Sequence, residues 1–317
     1  MIGPSGRSPL ALPRSTLGER RVAEAGVLLV TLCWAGNFVV VKAAIEAVPP
    51  VTFSFVRFGL AGLLLLGLLR WREGSIGLPR RDLATIALLG AVGFGVYQNL
   101  WSTALRSTTA GNSALLVAFT PIPTALIAAA IGSDVLTPTK LLGALVSFAG
   151  VVVVVAAGHG LTIDQASLGD LLTLAGALCW ACYVAFGAPF LRRHSPLRAT
   201  TWAVLAGTVV MAPLGLGELR ELDPGRIGPG TLLALLYSAG LAAGVANVVI
   251  FHAIRLLGPT RITMYQFLSP AITVVLAFLV LGEPILLAQV VGGAVIVGGI
   301  LVARAGRLAR PRAAHPV

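Results

Sequence analysis

The chain has 317 residues, of which 57% are hydrophobic and only 11% charged, with a mean hydropathy of +0.92. Soluble domains carry about 25% charged residues, so a soluble globular protein is excluded. The net charge of +11 does not point to nucleic acid, because the basic residues sit at the ends of apolar runs and are not interleaved with aromatics. Their placement is that of membrane-flanking anchors.

Taken in order, the chain opens on a segment rich in proline and glycine, with Pro4, Gly6, Pro9 and Pro13, and residues 1–21 are expected to form a disordered cytoplasmic tail. No short apolar stretch with a small-residue cleavage site follows, so a removable signal peptide is not expected. A helix crossing a bilayer needs roughly 20 apolar residues. Apolar length and Gly, Pro and charge punctuation predict ten helices: 22–45, 51–70, 83–104, 108–132, 140–157, 169–190, 199–217, 231–255, 260–281 and 285–304. The expected fold class is an all-α polytopic membrane protein. Most gaps are short, which makes consecutive helices antiparallel neighbours.

The basic residues test this layout. With a cytoplasmic N-terminus, 18 of the 23 Lys and Arg fall in inside loops and tails. Outside lie only Arg106, Arg220 and Arg226, while Lys42 and Arg57 fall within helices. Such a bias predicts both termini inside, in a multi-pass protein of the cytoplasmic (inner) membrane.

A duplication organises the chain further. Leu32-Cys33-Trp34-Ala35 recurs as Leu178-Cys179-Trp180-Ala181, an offset of 146 that also places Glu24 on Asp170. Later the offset becomes 149, relating Arg106 to Arg255, Thr120-Pro121 to Ser269-Pro270, Asp134 to Glu283, Gly143 to Gly292 and Gly150 to Gly299. Five helices per half is an odd number, so the halves must cross in opposite senses as two inverted five-helix repeats. The expected boundaries are 22–157 and 169–304, with an external linker at 158–168 and a basic cytoplasmic tail at 305–317. Inverted repeats characterise secondary transporters, whose substrate site lies near the midplane between the halves.

Polar groups at membrane depth are costly and usually face a cavity or pair within the bundle. The candidates for the substrate cavity are Trp34 and Asn37 in the first helix, Tyr97, Gln98 and Trp101 in the third, and Ser113 and Thr120 in the fourth. The second half contributes Trp180 and Tyr183, Asn247, and Tyr265, Gln266 and Ser269. The repeat relates Asn37 to Tyr183 and Gln98 to Asn247, as expected of two faces lining one cavity. Interhelical hydrogen bonding without a ligand is the alternative role for each. Pro121 and Pro270 each remove a backbone donor mid-helix, predicting a kink or hinge. Lys42 and Arg57 are expected to snorkel to the outer headgroups, Lys42 also within reach of Glu46; attraction of an anionic substrate group is the alternative.

Cys33, Cys179 and Cys182 all lie in apolar runs and lack the further ligands zinc would need. They read as packing residues. No Asp or Glu falls in the middle of a predicted helix, and His252 lies near the cytoplasmic end of its span. No catalytic triad, metal cluster or phosphate loop stands out, so neither an enzyme nor a cofactor is expected. The glycines of the fifth and tenth helices fit close helix packing.

Several stretches carry a family likeness. They are Cys33-Trp34-Ala35-Gly36-Asn37-Phe38 with Lys42, Pro49-Pro50 followed by Phe55-Val56-Arg57-Phe58 and Ala61-Gly62, and Tyr97 through Ala104 with Pro121. The second half adds Ala253 through Thr260, then Ser269-Pro270 leading to Leu281-Gly282-Glu283-Pro284. In order and spacing the chain resembles the EamA-type ten-helix exporters of the drug/metabolite transporter superfamily over residues 22–304. The resemblance implies a central cavity lined mainly by helices 1, 3, 4, 6, 8 and 9, and export of amino acids, metabolites or drugs. Gly132-Ser133-Asp134 departs from the family's Leu-Gly-Glu-like ending of the fourth helix.

The expected function is thus a secondary transporter that exports small molecules by alternating access, with a facilitative pore or channel as the alternative. Its expected partners are a small-molecule substrate and the lipid bilayer, with no nucleic acid. Monomer and homodimer both stay open.

Overall fold

A computed structural model describes residues 16–132, 136–159, 165–191, 193–246, 249–250, 253, 265 and 268–308. Its described residues are helical without a strand. Among the described residues seven helices are long and apolar enough to cross a membrane: α1 Leu17–Ala44, α2 Pro50–Glu73, α3 Arg80–Ala104, α4 Ala110–Ala130, α5 Pro138–His159, α6 Gln165–Leu191 and α7 Pro196–Glu218. Three further helices follow among the described residues, α8 Pro229–Val245, α9 Leu268–Leu281 and α10 Leu287–Leu308, with shorter described apolar stretches, that of α10 running Leu287–Ala303. Large apolar side chains such as Leu145, Val209 and Leu279 stay about 70% exposed along them, a surface that suits lipid and not water. The chain is an all-α polytopic membrane protein.

Local chemistry sets the helix ends. Thr16 and Glu19 form a reciprocal capping box at the start of α1, satisfying two amides the first turn leaves open. Pro50 opens α2, whose Val51 and Thr52 amides donate to the Glu218 carboxylate at the end of α7 (2.8 and 3.0 Å). Glu283, just past α9, caps α4 in the same way through Ala110 and Gly111 (2.8 and 3.2 Å). An anion at a helix N-terminus meets both open N–H groups and the positive end of the helix dipole. Gly132 and Gly282 end α4 and α9 at φ +71° and +69°, a backbone region that favours glycine. The fourth helix therefore ends on a glycine turn like that of α9. Asp134 and His252 lie outside the described residues.

Two features interrupt regular α geometry. Three turn residues, 118–120, split α4 into Ala110–Val117 and Pro121–Ala130, because Pro121 has no amide to continue the ladder. In addition, α3 is π-helical over Ala91–Val96 and α8 over Tyr237–Val245. The repeat offset of 146 places Ala91 on Tyr237, so both halves widen at the same position.

The packing repeats as well. When each helix is matched with the one five places on, α1 against α9 corresponds to α6 against α4. Likewise α3 against α6 corresponds to α8 against α1, and α3 against α7 to α8 against α2. The pairs α2–α7, α4–α9 and α5–α10 map onto themselves. The closest of these is α5–α10, where Gly143, Gly150, Gly292 and Gly299 bring the backbones together.

Ionic and polar clamps close each end of the bundle. At one end Glu73 accepts from the Ser195 hydroxyl (2.5 Å) and pairs with Arg198 (3.0 Å), while Asp82 pairs with Arg193 (3.1 Å) and His194 (2.8 Å). At the other, Lys42 donates to the Leu105 and Thr108 carbonyls, the latter at 2.8 Å. The ammonium thus ties α1 to the carbonyl end of α3, where the helix dipole favours a cation, instead of snorkelling away. Nearby Asp170, fully buried, accepts from Thr108 and from Asn112 (3.4 Å), and Gln289 donates to Asn112 (2.6 Å).

Candidate substrate site

The site is built around Arg57 of α2, which is 2% exposed. It does not snorkel. Its position eight residues into α2 puts it about 10 Å along the helix axis, and the side chain turns inward between α1 and α3. Nη2 donates to Gln98 Oε1 at 2.7 Å and Nη1 to Asn37 Oδ1 at 3.5 Å, while Nε is buried without a partner. The guanidinium also lies 4.7 Å from the Phe58 ring centre and 5.4 Å from that of Trp101. Length and hydropathy could not show this, because a snorkelling arginine and an inward-facing one differ only in which face of α2 they occupy.

Around it the expected residues gather in part. Asn37 Oδ1 also accepts from the Ser238 hydroxyl in the π-helical segment of α8 (2.8 Å). Its repeat mate Tyr183 packs on Gly93 in the π-helical segment of α3, so closely that a Cβ there would sit 2.3 Å from the tyrosine's. Both mates therefore dock on the widened helix of the opposite half. Trp101 is buried, and its ring N–H donates to the Ser113 hydroxyl at 3.1 Å. Tyr97 bridges two tryptophans, with ring centres 6.5 Å from Trp101 and 5.7 Å from Trp180. Trp180 continues to Tyr183 (5.1 Å) and Phe94 (5.4 Å), and Phe94 returns to Phe58 (5.8 Å). Aromatic faces and edges so form a closed loop through Arg57, Trp101, Tyr97, Trp180, Phe94 and Phe58. Tyr97, Trp180 and Tyr183 keep part of their surface accessible.

Other expected residues stand apart. Trp34 lies between α1 and α8: its ring N–H donates to the Ala242 carbonyl at 2.9 Å, and it packs on the buried cluster of Val27, Val30, Ala246 and Ile250, which Tyr265 also covers. Thr120 turns its hydroxyl onto Val117 of its own helix (2.6 Å), so the break before Pro121 ends the stripe it would have shared with Ser113. Ser269 offers its carbonyl to Thr273 (2.9 Å), and Pro270 is buried within α9. Asn247 and Gln266 lie outside the described residues. Arg57, Phe94 and Ser238 were not among the expected cavity residues. The signals open to the sequence were Arg57, with attraction of an anionic group as its alternative reading, and the adjacent hydroxyls of Tyr237 and Ser238 in an apolar run.

Among the described residues no group of three or more His, Cys, Asp or Glu is placed to hold a metal, and the site's polar atoms are amides, hydroxyls and one guanidinium. Residues 22–156 match the EamA-like transporter family, and residues 167–305 match it again. The chain belongs to the EamA-like transporter family.

Relatives of this EamA-like chain agree along nearly its full length. An uncharacterised transporter of Archaeoglobus fulgidus is 30% identical over 281 residues, covering 87% of this chain and 95% of that one. A protein of Streptantibioticus cattleyicolor named as a probable terminal-alkyne amino-acid exporter is 27% identical, covering 91% and 95%. The uncharacterised inner membrane transporter YedA of Escherichia coli K12 is 26% identical, covering 90% and 91%. A crystal structure with a TM-score of 0.64 and 21% identity covers 92% of this chain and all of that one, which shows a shared fold. The protein is a multi-pass membrane transporter.

Proposed function

We propose that this EamA-like protein is a secondary transporter that exports small metabolites by alternating access, through the polar and aromatic site between its two halves. One observation carries the reading: helix contacts recur in repeat-matched pairs, and the residues around Arg57 sit where α1, α3, α6 and the π-helical part of α8 meet. Two halves of equivalent structure crossing in opposite senses can exchange conformations, and so open one site to either side in turn. The domain boundaries at 22–157 and 169–304 and the cytoplasmic placement of both termini belong to this reading. So does its place in the inner membrane. The loop carrying Glu283 and the Lys42–Thr108–Asp170 network then lie on the outer side. The S. cattleyicolor relative's name supports outward movement of a small amphipathic molecule.

Efflux from proteoliposomes tests the site. Gln98→Ala and Asn37→Ala should each abolish saturable efflux of a transported solute, while membrane insertion and monodispersity in detergent stay unchanged. Efflux at the unsubstituted rate in both variants would remove the site from the pathway.

A further inference from the structure

Arg57 raises a question of charge. A guanidinium stays ionised under all ordinary conditions, and among the described residues no carboxylate forms an ion pair with it. Its partners are two neutral amide oxygens and two aromatic faces. These satisfy hydrogen bonds and cancel none of the charge, and burying an ion without its counterion carries a large penalty. In membrane proteins such ions mark substrate paths.

The geometry also leaves donors over. A guanidinium has five N–H groups in a planar fork, and here one is bonded to Gln98, one reaches Asn37 at the long distance of 3.5 Å, and Nε–H has no partner. Ser54, three residues away on the same face of α2, likewise has a buried hydroxyl without a partner. A planar fork with unused N–H groups and an uncancelled charge matches a carboxylate, which accepts two parallel bonds from it. Beside it, Tyr97 and Trp180 offer partly accessible aromatic surface to an apolar body.

We infer that Arg57, oriented by Asn37 and Gln98, is the subsite that takes the carboxylate of the transported molecule, and that the Tyr97–Trp180 surface takes its apolar part. The substrate class is an amphipathic organic carboxylate. This rests on the transport reading only in making the anion the cargo. If the arginine served merely to tie three helices together, it would not distinguish an acid from its amide.

The test is titration of the purified full-length protein with hexanoate and benzoate against hexanamide and benzamide, at neutral pH, followed by tryptophan fluorescence and calorimetry. The acids should bind saturably, with the amides at least about 10-fold weaker, the discrimination expected for hydrogen bonds to a charged group. Arg57→Lys keeps the charge without the fork and should bind the acids more weakly while still preferring them. Arg57→Gln should lose the preference. Equal binding of acid and amide, absence of saturable acid binding, or an acid preference surviving in Arg57→Gln would overturn the assignment. The wild-type comparison decides even if Arg57→Gln does not fold. Saturable flux of the neutral amides at the acids' rate would end the carboxylate assignment and leave transport standing; acid binding without flux of any solute would do the reverse.

Discussion

Gly143 of α5 and Gly299 of α10 approach each other reciprocally: a Cβ on the first would lie 2.4 Å from the carbonyl oxygen of the second, and a Cβ on the second 2.6 Å from that of the first. Gly150 and Gly292 repeat the arrangement at 2.7 and 2.9 Å. Because the duplication relates Gly143 to Gly292 and Gly150 to Gly299, exchanging each glycine for its repeat counterpart turns the Gly143–Gly299 contact into the Gly292–Gly150 contact. That is the signature of a local twofold relation between the two helices.

This interface predicts a graded stability series. Gly143→Leu must push α10 away, since the opposing atoms are backbone and cannot yield, and should cost about 1–3 kcal/mol or prevent folding. Gly298→Leu, one residue from Gly299 but facing open space, should change little. Melting temperatures in detergent check it; equal losses in both variants would count against the close approach.

The Trp101–Ser113 bond joins α3 to α4 at the site. Ser113→Ala leaves the buried indole N–H without its acceptor and should destabilise by about 1–3 kcal/mol. Trp101→Phe in the Ser113→Ala background removes that orphaned donor, so the double variant should lose less than the sum of the singles. Additive losses in denaturation of all four proteins would show that the bond does not form.

Asn112 bridges Asp170 and Gln289 and so links α4, α6 and α10. Asn112→Leu should leave Asp170 with fewer donors, lower the melting temperature, and expose a cysteine placed at Ser107 to a membrane-impermeant thiol reagent. Unaltered labelling and melting would mean that the network does not hold this end closed.

Much of this was legible in the residues. Apolar length, Gly and Pro punctuation and the distribution of arginine led to an all-α membrane protein, and Pro121 to a broken fourth helix, because these features act locally. The π-helical segments were not legible: Ala91–Val96 and Tyr237–Val245 are rich in small residues that suit any close-packed helix, and the widening depends on what docks against them. Arg57 was misplaced for a related reason. A long stem allows the charge to reach the headgroups, and only the position of Gln98 and Asn37 across the interface turns it inward. Trp34, the most conspicuous repeated letter, went to the α1–α8 seam, since an indole N–H is satisfied equally by a nearby carbonyl or a ligand.

Solute counterflow tests the central claim most directly. Proteoliposomes preloaded with unlabelled solute and diluted into a trace of the labelled form should accumulate label transiently above equilibrium, because a site that opens alternately returns the label inward on each exchange. Simple equilibration, at a rate linear in concentration and indifferent to the internal load, would contradict alternating access and leave a pore.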